Sequence, residues 1–272
     1  MKKKLKKIGL ILLFCFLALP VYAFKIEPAL VRVRHLTIGD RQKPKALTVV
    51  QLSDIQVSES YATHRLDRVI QKVNREEPDV IVFTGDLFDN YSVYSHEKEM
   101  IQKLKAMTAR VGKYAVWGNH DYGGGAGLIY ERVMNQAGFD VLKNRGETIS
   151  LSSGKTLFIG GLDDSLLGNP SVETTLSYRE RYDYSILLTH EPDVADKFVG
   201  TNTQLVLAGH SHGGQVRVPF YQVKNVLAEK YIRGLYELSD HTKLYVNPGL
   251  GTTAIHARFG VPPEISVFDL HF

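Results

Sequence analysis

The 272-residue chain has one cysteine, Cys15, and it lies in an apolar run near the N-terminus. A disulfide framework is therefore excluded, and so is any zinc site built on thiolates. A bound metal would have to be held by Asp, Asn, Gln, Glu or His. A strongly basic overall balance is also lacking, despite the net charge of +4. Five lysines (Lys2, Lys3, Lys4, Lys6 and Lys7) and no acid fall in residues 1–24, and removing those five charges leaves −1 for the rest. No basic stripe remains to follow a phosphate backbone, so no specific nucleic-acid partner is expected. Apolar side chains are not scarce. With 44% hydrophobic and 23% charged residues, the chain has enough to build one large core or two small ones. No internal repeat is visible, and no linker divides residues 45–272.

The N-terminus has its own character. KKKLKK at residues 2–7 is followed by an apolar run over residues 8–24, with Pro20 as its one breaker. A basic head before an apolar stretch has the form of a secretory signal. Val21 and Ala23 put small residues at the −3 and −1 positions, consistent with cleavage after Ala23. An uncleaved membrane anchor is the competing reading. The run is 17 residues, at the short edge for spanning a bilayer, and the lysines would keep the N-terminus cytoplasmic and the remainder outside. Residues 1–24 are thus expected to be a signal peptide or N-terminal membrane anchor. The protein is expected to be exported, to the outer face of the cytoplasmic membrane, the cell wall or the extracellular space.

Residues 25–46 read as a lead-in segment, with partial strand-like alternation at Ile26, Ala29, Val31 and Val33. From residue 47 onward, short runs rich in Val, Ile and Leu each end in polar residues: 47–54 (LTVVQLSD), 80–86 (VIVFTGD), 113–121 (KYAVWGNHD), 156–163 (TLFIGGLD), 184–190 (YSILLTH), 204–212 (QLVLAGHSH) and 243–249 (KLYVNPG). A last run, EISVFD, covers 264–269. Such runs read as buried strands of a sheet covered on both faces. Leu66, Val69, Ile70 and Val73 mark one face of an amphipathic helix, ended by Pro78. Residues 97–110 and 128–138 are further helix candidates. Strand, helix and strand at this spacing predict an α/β layered domain over 47–272.

Ligands of open α/β sheets bind beyond the carboxyl ends of the strands. Those ends carry Asp54, Asp86, Asn119-His120-Asp121, His190, and His210 with His212. Each residue alone has an ordinary explanation as a helix cap, turn former or packed histidine. All of them at the same end of their strands form a candidate metal and catalytic rim.

In that combination the sequence resembles the calcineurin-like metallophosphoesterases: Asp54-x-Gln56, Gly85-Asp86, Gly118-Asn119-His120-Asp121, His190 and Gly209-His210-Ser211-His212 follow in order. The tail, with Asn247-Pro248-Gly249 and Pro262-Pro263-Glu264-Ile265, is similar to the small membrane-associated bacterial branch. The resemblance implies a four-layer αββα sandwich of two mixed sheets and a centre of two divalent metal ions (manganese, iron or zinc). Asp86 would bridge the metals. Asp54, Gln56 and His212 would complete one site, and Asn119, His190 and His210 the other. His120 would reach the phosphate and stabilise the transition state or protonate the leaving group, with Asp121 orienting it. A metal pair so held lowers the pKa of a shared water, and the resulting hydroxide would attack the phosphorus of a phosphate-ester substrate. The family's first motif normally ends in His, whereas residue 56 is Gln, a neutral and weaker donor. That departure supports a second reading, a metal-dependent binding module with weak or no catalysis. A nucleotide-linked lipid pyrophosphate is an alternative substrate.

Lesser features have structural readings beside functional ones. Gly123-Gly124-Gly125-Ala126-Gly127 reads as a flexible loop, Gly213-Gly214-Gln215 as a tight turn beside the metals, and Asp163-Asp164 as turn formers. His256 and Arg258 are candidates for an anionic substrate or for packing. Tyr61, Tyr91, Tyr94, Tyr122 and Tyr130 are expected to pack under the motif loops.

Overall fold

The computed structural model describes residues 2–58, 64–239 and 241–272. Tyr61 lies outside them. The chain opens with α1 (Lys2–Val21), and among the described residues no helix is long and apolar enough to cross a membrane. There follow β1 (Arg32–Gly39), β2 (Leu47–Leu52), α2 (His64–Arg75), β3 (Val80–Phe83), α3 (Glu97–Lys105), β4 (Gly112–Ala115), α4 (Asn119–Tyr122), α5 (Tyr130–Gln136) and β5 (Asp140–Val141). The second half supplies β6 (Arg145–Ser150), β7 (Thr156–Gly161), α6 (Val172–Ser177), β8 (Tyr184–Leu188), β9 (Leu205–Ala208), the hairpin β10 (Arg217–Val218) and β11 (Tyr221–Gln222), then β12 (Gly234–Glu237), β13 (Lys243–Val246) and β14 (Glu264–His271).

Two six-stranded mixed sheets result, in the orders β1-β14-β2-β3-β4-β5 and β12-β13-β9-β8-β7-β6. Within each, the four strands that carry the site motifs or flank them run parallel: β2 to β5 in one sheet, and β13, β9, β8 and β7 in the other. The lead-in contributes β1, which pairs in parallel with β14 and so belongs to the first sheet.

Period-two alternation explains the layering. In β3, Val80 and Val82 face the second sheet, while Ile81 and Phe83 face the helices α2, α3 and α5. In β9, Leu205 and Leu207 face the first sheet, and Val206 and Ala208 pack against Phe198 and Val194 on the far side. Both faces of each sheet are buried, which is why the strands read as continuous apolar runs. The order is helices, sheet, sheet, helices: the αββα sandwich.

The helical pattern at 66–73 becomes α2, whose buried residues are Leu66, Val69, Ile70 and Val73. Parallel strands joined by helices deliver their carboxyl ends to one pole of the sandwich. The loops after β2, β3, β4, β8 and β9 all meet there.

Candidate metal centre

Five of the residues in those loops adopt the left-handed backbone region that only glycine enters freely: Asp54 (φ 49°), Gln56 (φ 50°), Asp86 (φ 61°), His210 (φ 66°) and His212 (φ 49°). Such conformations cost on the order of 1–3 kcal/mol each and persist only where surrounding structure enforces them. The enforcement is visible. Asp54 N–H donates to Gly85 O at 2.9 Å and Gln56 N–H to Asp86 O at 3.1 Å, tying the first loop to the second. The His210 N–H donates to both oxygens of Asp54, at 3.1 and 3.0 Å. Glycine is required where loops touch: a Cβ on Gly118 would lie 2.3 Å from Asp86 Oδ1, and one on Gly209 1.9 Å from Ser53 Oγ.

The side chains converge into two overlapping triads, Asp86–His190–His210 and Asp54–Asp86–His212, each with its ligand atoms within 4.8 Å of one another. Asp86 belongs to both. Its Oδ1 accepts from the His120 N–H at 2.9 Å, and its Oδ2 lies 2.7 Å from Gln56 Nε2 and 3.3 Å from His190 Nε2. His212 Nε2 stands 3.4 Å from Asp54 Oδ1. Ser53 Oγ donates to Asp54 Oδ2.

Backbone carbonyls set the imidazole tautomers. His190 Nδ1 lies 2.7 Å from Thr84 O and His210 Nε2 lies 2.8 Å from Val226 O. A carbonyl only accepts, so both ring nitrogens carry hydrogen. The free nitrogens, His190 Nε2 and His210 Nδ1, then face each other at 3.2 Å. Two lone pairs at that distance need a proton or a cation between them. Without a metal, the proton is the solution. Burial acts to lower the His190 pKa, but Asp86, then Asp54 and Glu191, outweigh it and hold the ring well above its ordinary value. Burial also acts to raise Asp86, yet the His190, His120 and His210 rings hold it below the usual carboxylate range. Burial pulls His210 down to about 4, with the His190 charge adding to the effect. Asp54 is pushed up to about 6 by burial, opposed by His190.

Three further donor atoms are buried with no hydrogen-bond partner: Gln56 Oε1, Asn119 Oδ1 and His212 Nδ1. Orphaned acceptors in a site dense with carboxylate and imidazole are costly unless a cation uses them. The donor set is Asp, Asn, Gln and His without thiolate, which suits divalent ions such as manganese, iron or zinc. The residues present therefore fit a metal centre. Gln56 turns its amide nitrogen, not its oxygen, toward Asp86, as expected when a bare carboxylate stands beside it.

His120 and Asp121 part company. The resemblance implied that Asp121 orients His120. Instead, Asp121 accepts backbone N–H groups from Asp86 (2.8 Å), Leu87 (2.9 Å), Phe88 (3.4 Å) and Gly118 (3.1 Å). Four donors use both oxygens, so this carboxylate holds the Asp86 loop against the Gly118 loop. His120 Nδ1 lies 2.9 Å from Asp89 O, with Asp89 Oδ1 at 3.9 Å, and the ring is 30% exposed at the mouth of the site. Asp89, three residues after Asp86, is the supporting residue that sequence reading missed.

Other supports lie further along the chain. Arg258 is fully buried and donates to Gly251 O, Val261 O and Pro248 O. It clamps the loop whose Gly251 N–H meets Asp54 O at 2.7 Å, so it packs and caps and does not face a substrate. His256 is exposed and pairs with Thr252. Tyr122 and Tyr130 pack on Trp117, and Tyr91 and Tyr94 on Phe88. Asp163 accepts the backbone N–H groups of Asp164 and Asn169, and Asp164 those of Leu166 and Leu167, as turn formers.

Comparison with known proteins agrees with this geometry. The model of the calcineurin-like phosphoesterase family matches residues 47–214. The chain is 40% identical over 254 residues to the uncharacterized metallophosphoesterase YkuE of Bacillus subtilis (strain 168), covering 92% of this chain and 88% of that protein. It is 31% identical over 267 residues to an uncharacterized metallophosphoesterase of Aquifex aeolicus (strain VF5), covering 94% of this chain and 98% of the relative. A transmembrane protein with metallophosphoesterase domain from Danio rerio is 31% identical over 231 residues, 81% of this chain and 52% of that one. The chain belongs to the calcineurin-like phosphoesterase family, and is a metal-dependent phosphoester hydrolase.

Proposed function

We propose that the protein hydrolyses phosphomonoesters or phosphodiesters with two divalent cations, at or outside the cytoplasmic membrane. The observation that carries this reading is the pair of ligand triads sharing Asp86. One cation would be held by Asp54, Gln56, Asp86 and His212, and the other by Asp86, Asn119, His190 and His210. When bound, such ions activate water near neutral pH and neutralise charge on the phosphoryl oxygens.

The chain's own residues supply the rest. Asp86 is fixed by the His120 backbone N–H, and its carboxylate would serve both cations. Thr84 O and Val226 O hold the two imidazoles by their N–H groups and aim the free nitrogens inward. His120, held through Nδ1 by Asp89 O, has Nε2 left for substrate. Hydrolysis forms one phosphorus–oxygen bond to a water oxygen, which gives up a proton to solvent, and breaks another to the leaving group, whose oxygen takes a proton from His120. Residues 1–24 would serve as the export signal or membrane attachment.

Gln56 favours one other reading, a metal-dependent binding module, because its nitrogen faces Asp86. A half-turn of the terminal amide would bring its oxygen inward in exchange.

The test is hydrolysis of bis-p-nitrophenyl and p-nitrophenyl phosphate by metal-stripped protein titrated with manganese, with Asp86→Asn as control. Metal-dependent turnover absent from the variant is expected. Folded protein that is silent with both esters at saturating metal would leave the binding module.

A further inference from the structure

The metal centre shares its pole with an unusual surface. The β10–β11 hairpin exposes Phe220 completely and Tyr221 by 66%. Val218, Val223, Val226 and Ile255 are exposed beside it. Monomeric domains rarely present contiguous apolar side chains of this size without a partner. The patch is joined to the site: a cleft of about 380 Å³ runs from Tyr221, Val223 and Ile255 to Ser211, His212 and Asn225.

The hairpin is also joined to the N-terminal segment. Arg217 N–H donates to Phe259 O at 2.8 Å, and Phe259 N–H to Gln215 O at 3.1 Å. The Phe259 ring meets Tyr22 edge-on at 6.0 Å, Arg258 N–H donates to Ala23 O, and Gly260 N–H donates to Glu27. The end of the apolar helix α1 is thereby docked against the hairpin's support. Phe24, Ile26 and Leu30 are exposed along the way. The same segment then walls a second cleft of about 450 Å³, whose opposite side is basic: His64, Arg65 and Arg68 early in α2, and Lys72 in its last turn, where the ammonium donates to Val31 O at 3.1 Å. Arg217 on the hairpin and Lys224 just after it are exposed, as is Lys25 in the N-terminal segment. An apolar hairpin, the exit of an apolar helix and a basic cleft on one pole complement an anionic lipid surface: apolar side chains enter the acyl boundary and cations meet the headgroups.

We propose that this pole seats on an anionic lipid bilayer, with the β10–β11 hairpin inserted, so that the cleft at His212 receives a phosphate ester whose apolar chain remains in the membrane. The substrate half rests on the phosphoesterase reading; the seating does not.

Both halves are tested with the full chain on vesicles of phosphatidylcholine and phosphatidylglycerol. Trp117, the one native tryptophan, is buried and sets the background. Phe220→Trp reports on the hairpin. Val199→Trp is the control, at an exposed position where the chain returns toward the start of β9. With brominated acyl chains, the tryptophan at 220 is expected to lose most of its emission and the one at 199 to keep it. Equal quenching, or none at 220, overturns the seating. Turnover is then compared for hexadecyl p-nitrophenyl phosphate in the vesicles and soluble bis-p-nitrophenyl phosphate. Val218→Ser/Phe220→Ser should raise KM for the vesicle-borne diester about tenfold or more, the loss of one to two buried apolar side chains, and leave the soluble diester unchanged. Equal effects on both esters overturn the substrate half. Silence toward every ester in wild-type protein sinks the phosphoesterase reading, while the quenching result still decides the seating.

Discussion

Replacing Asp121 with alanine separates the two roles this residue could have. Its carboxylate accepts three close backbone N–H groups, from Asp86, Leu87 and Gly118, at 2.8, 2.9 and 3.1 Å. Truncation leaves those donors buried without partners. Each such group costs about 1–3 kcal/mol. Water entering the vacated space recovers part of that, so the loss is about 3–6 kcal/mol, a large share of a typical domain's stability. At roughly 2–4 °C per kcal/mol for a chain of this size, the melting temperature falls by about 6–24 °C. The Asp86 loop loosens with it, so metal affinity falls as well. His120→Ala is the comparison. It should leave melting and metal affinity nearly unchanged and lower turnover by about 10²–10⁴-fold. The assay is thermal unfolding by circular dichroism, with manganese affinity by calorimetry, on both variants. An Asp121→Ala protein that melts within 2 °C of wild type but shares the kinetic defect of His120→Ala would refute the structural role.

Two further outcomes follow from the site. In the metal-free protein His190 is held protonated well above its ordinary pKa and Asp86 ionised below its own. His190 ligates only as the neutral ring, so metal uptake must release its proton. Affinity should therefore rise with pH across the neutral range, and calorimetry in buffers of different ionisation enthalpy should show proton release; uptake with none contradicts the ion pair. Gln56→His restores an imidazole at the weakest ligand and should tighten the first metal site by about tenfold or more, read by competition with a chelator. An unchanged affinity would show that residue 56 is not a ligand.

Much of this architecture was legible from residue order. Eight apolar runs with polar ends became β2, β3, β4, β7, β8, β9, β13 and β14, because strands buried on both faces must be apolar throughout. The site acids and histidines followed because parallel strands put their carboxyl ends on one side. Edge strands were harder. β6, with intermediate burial along RGETIS, and β12, half-exposed, have no such signature. β1 was visible only as partial alternation, since its partner β14 lies more than 200 residues away. Supporting contacts were the least legible. Nothing local tells that Asp121 will collect backbone donors from a loop some 35 residues earlier, or which carbonyls a packed Arg258 will cap. Both depend on how loops meet, and only the assembled pole shows that.

The central claim is that Asp86 is shared by two cations. Loading the metal-stripped full chain with manganese and recording its electron paramagnetic resonance spectrum tests that claim most directly. Two ions per chain, with spectra coupled in wild type and uncoupled or halved in Asp86→Asn, are predicted. One ion per chain at saturation, or two that never couple, would contradict the account.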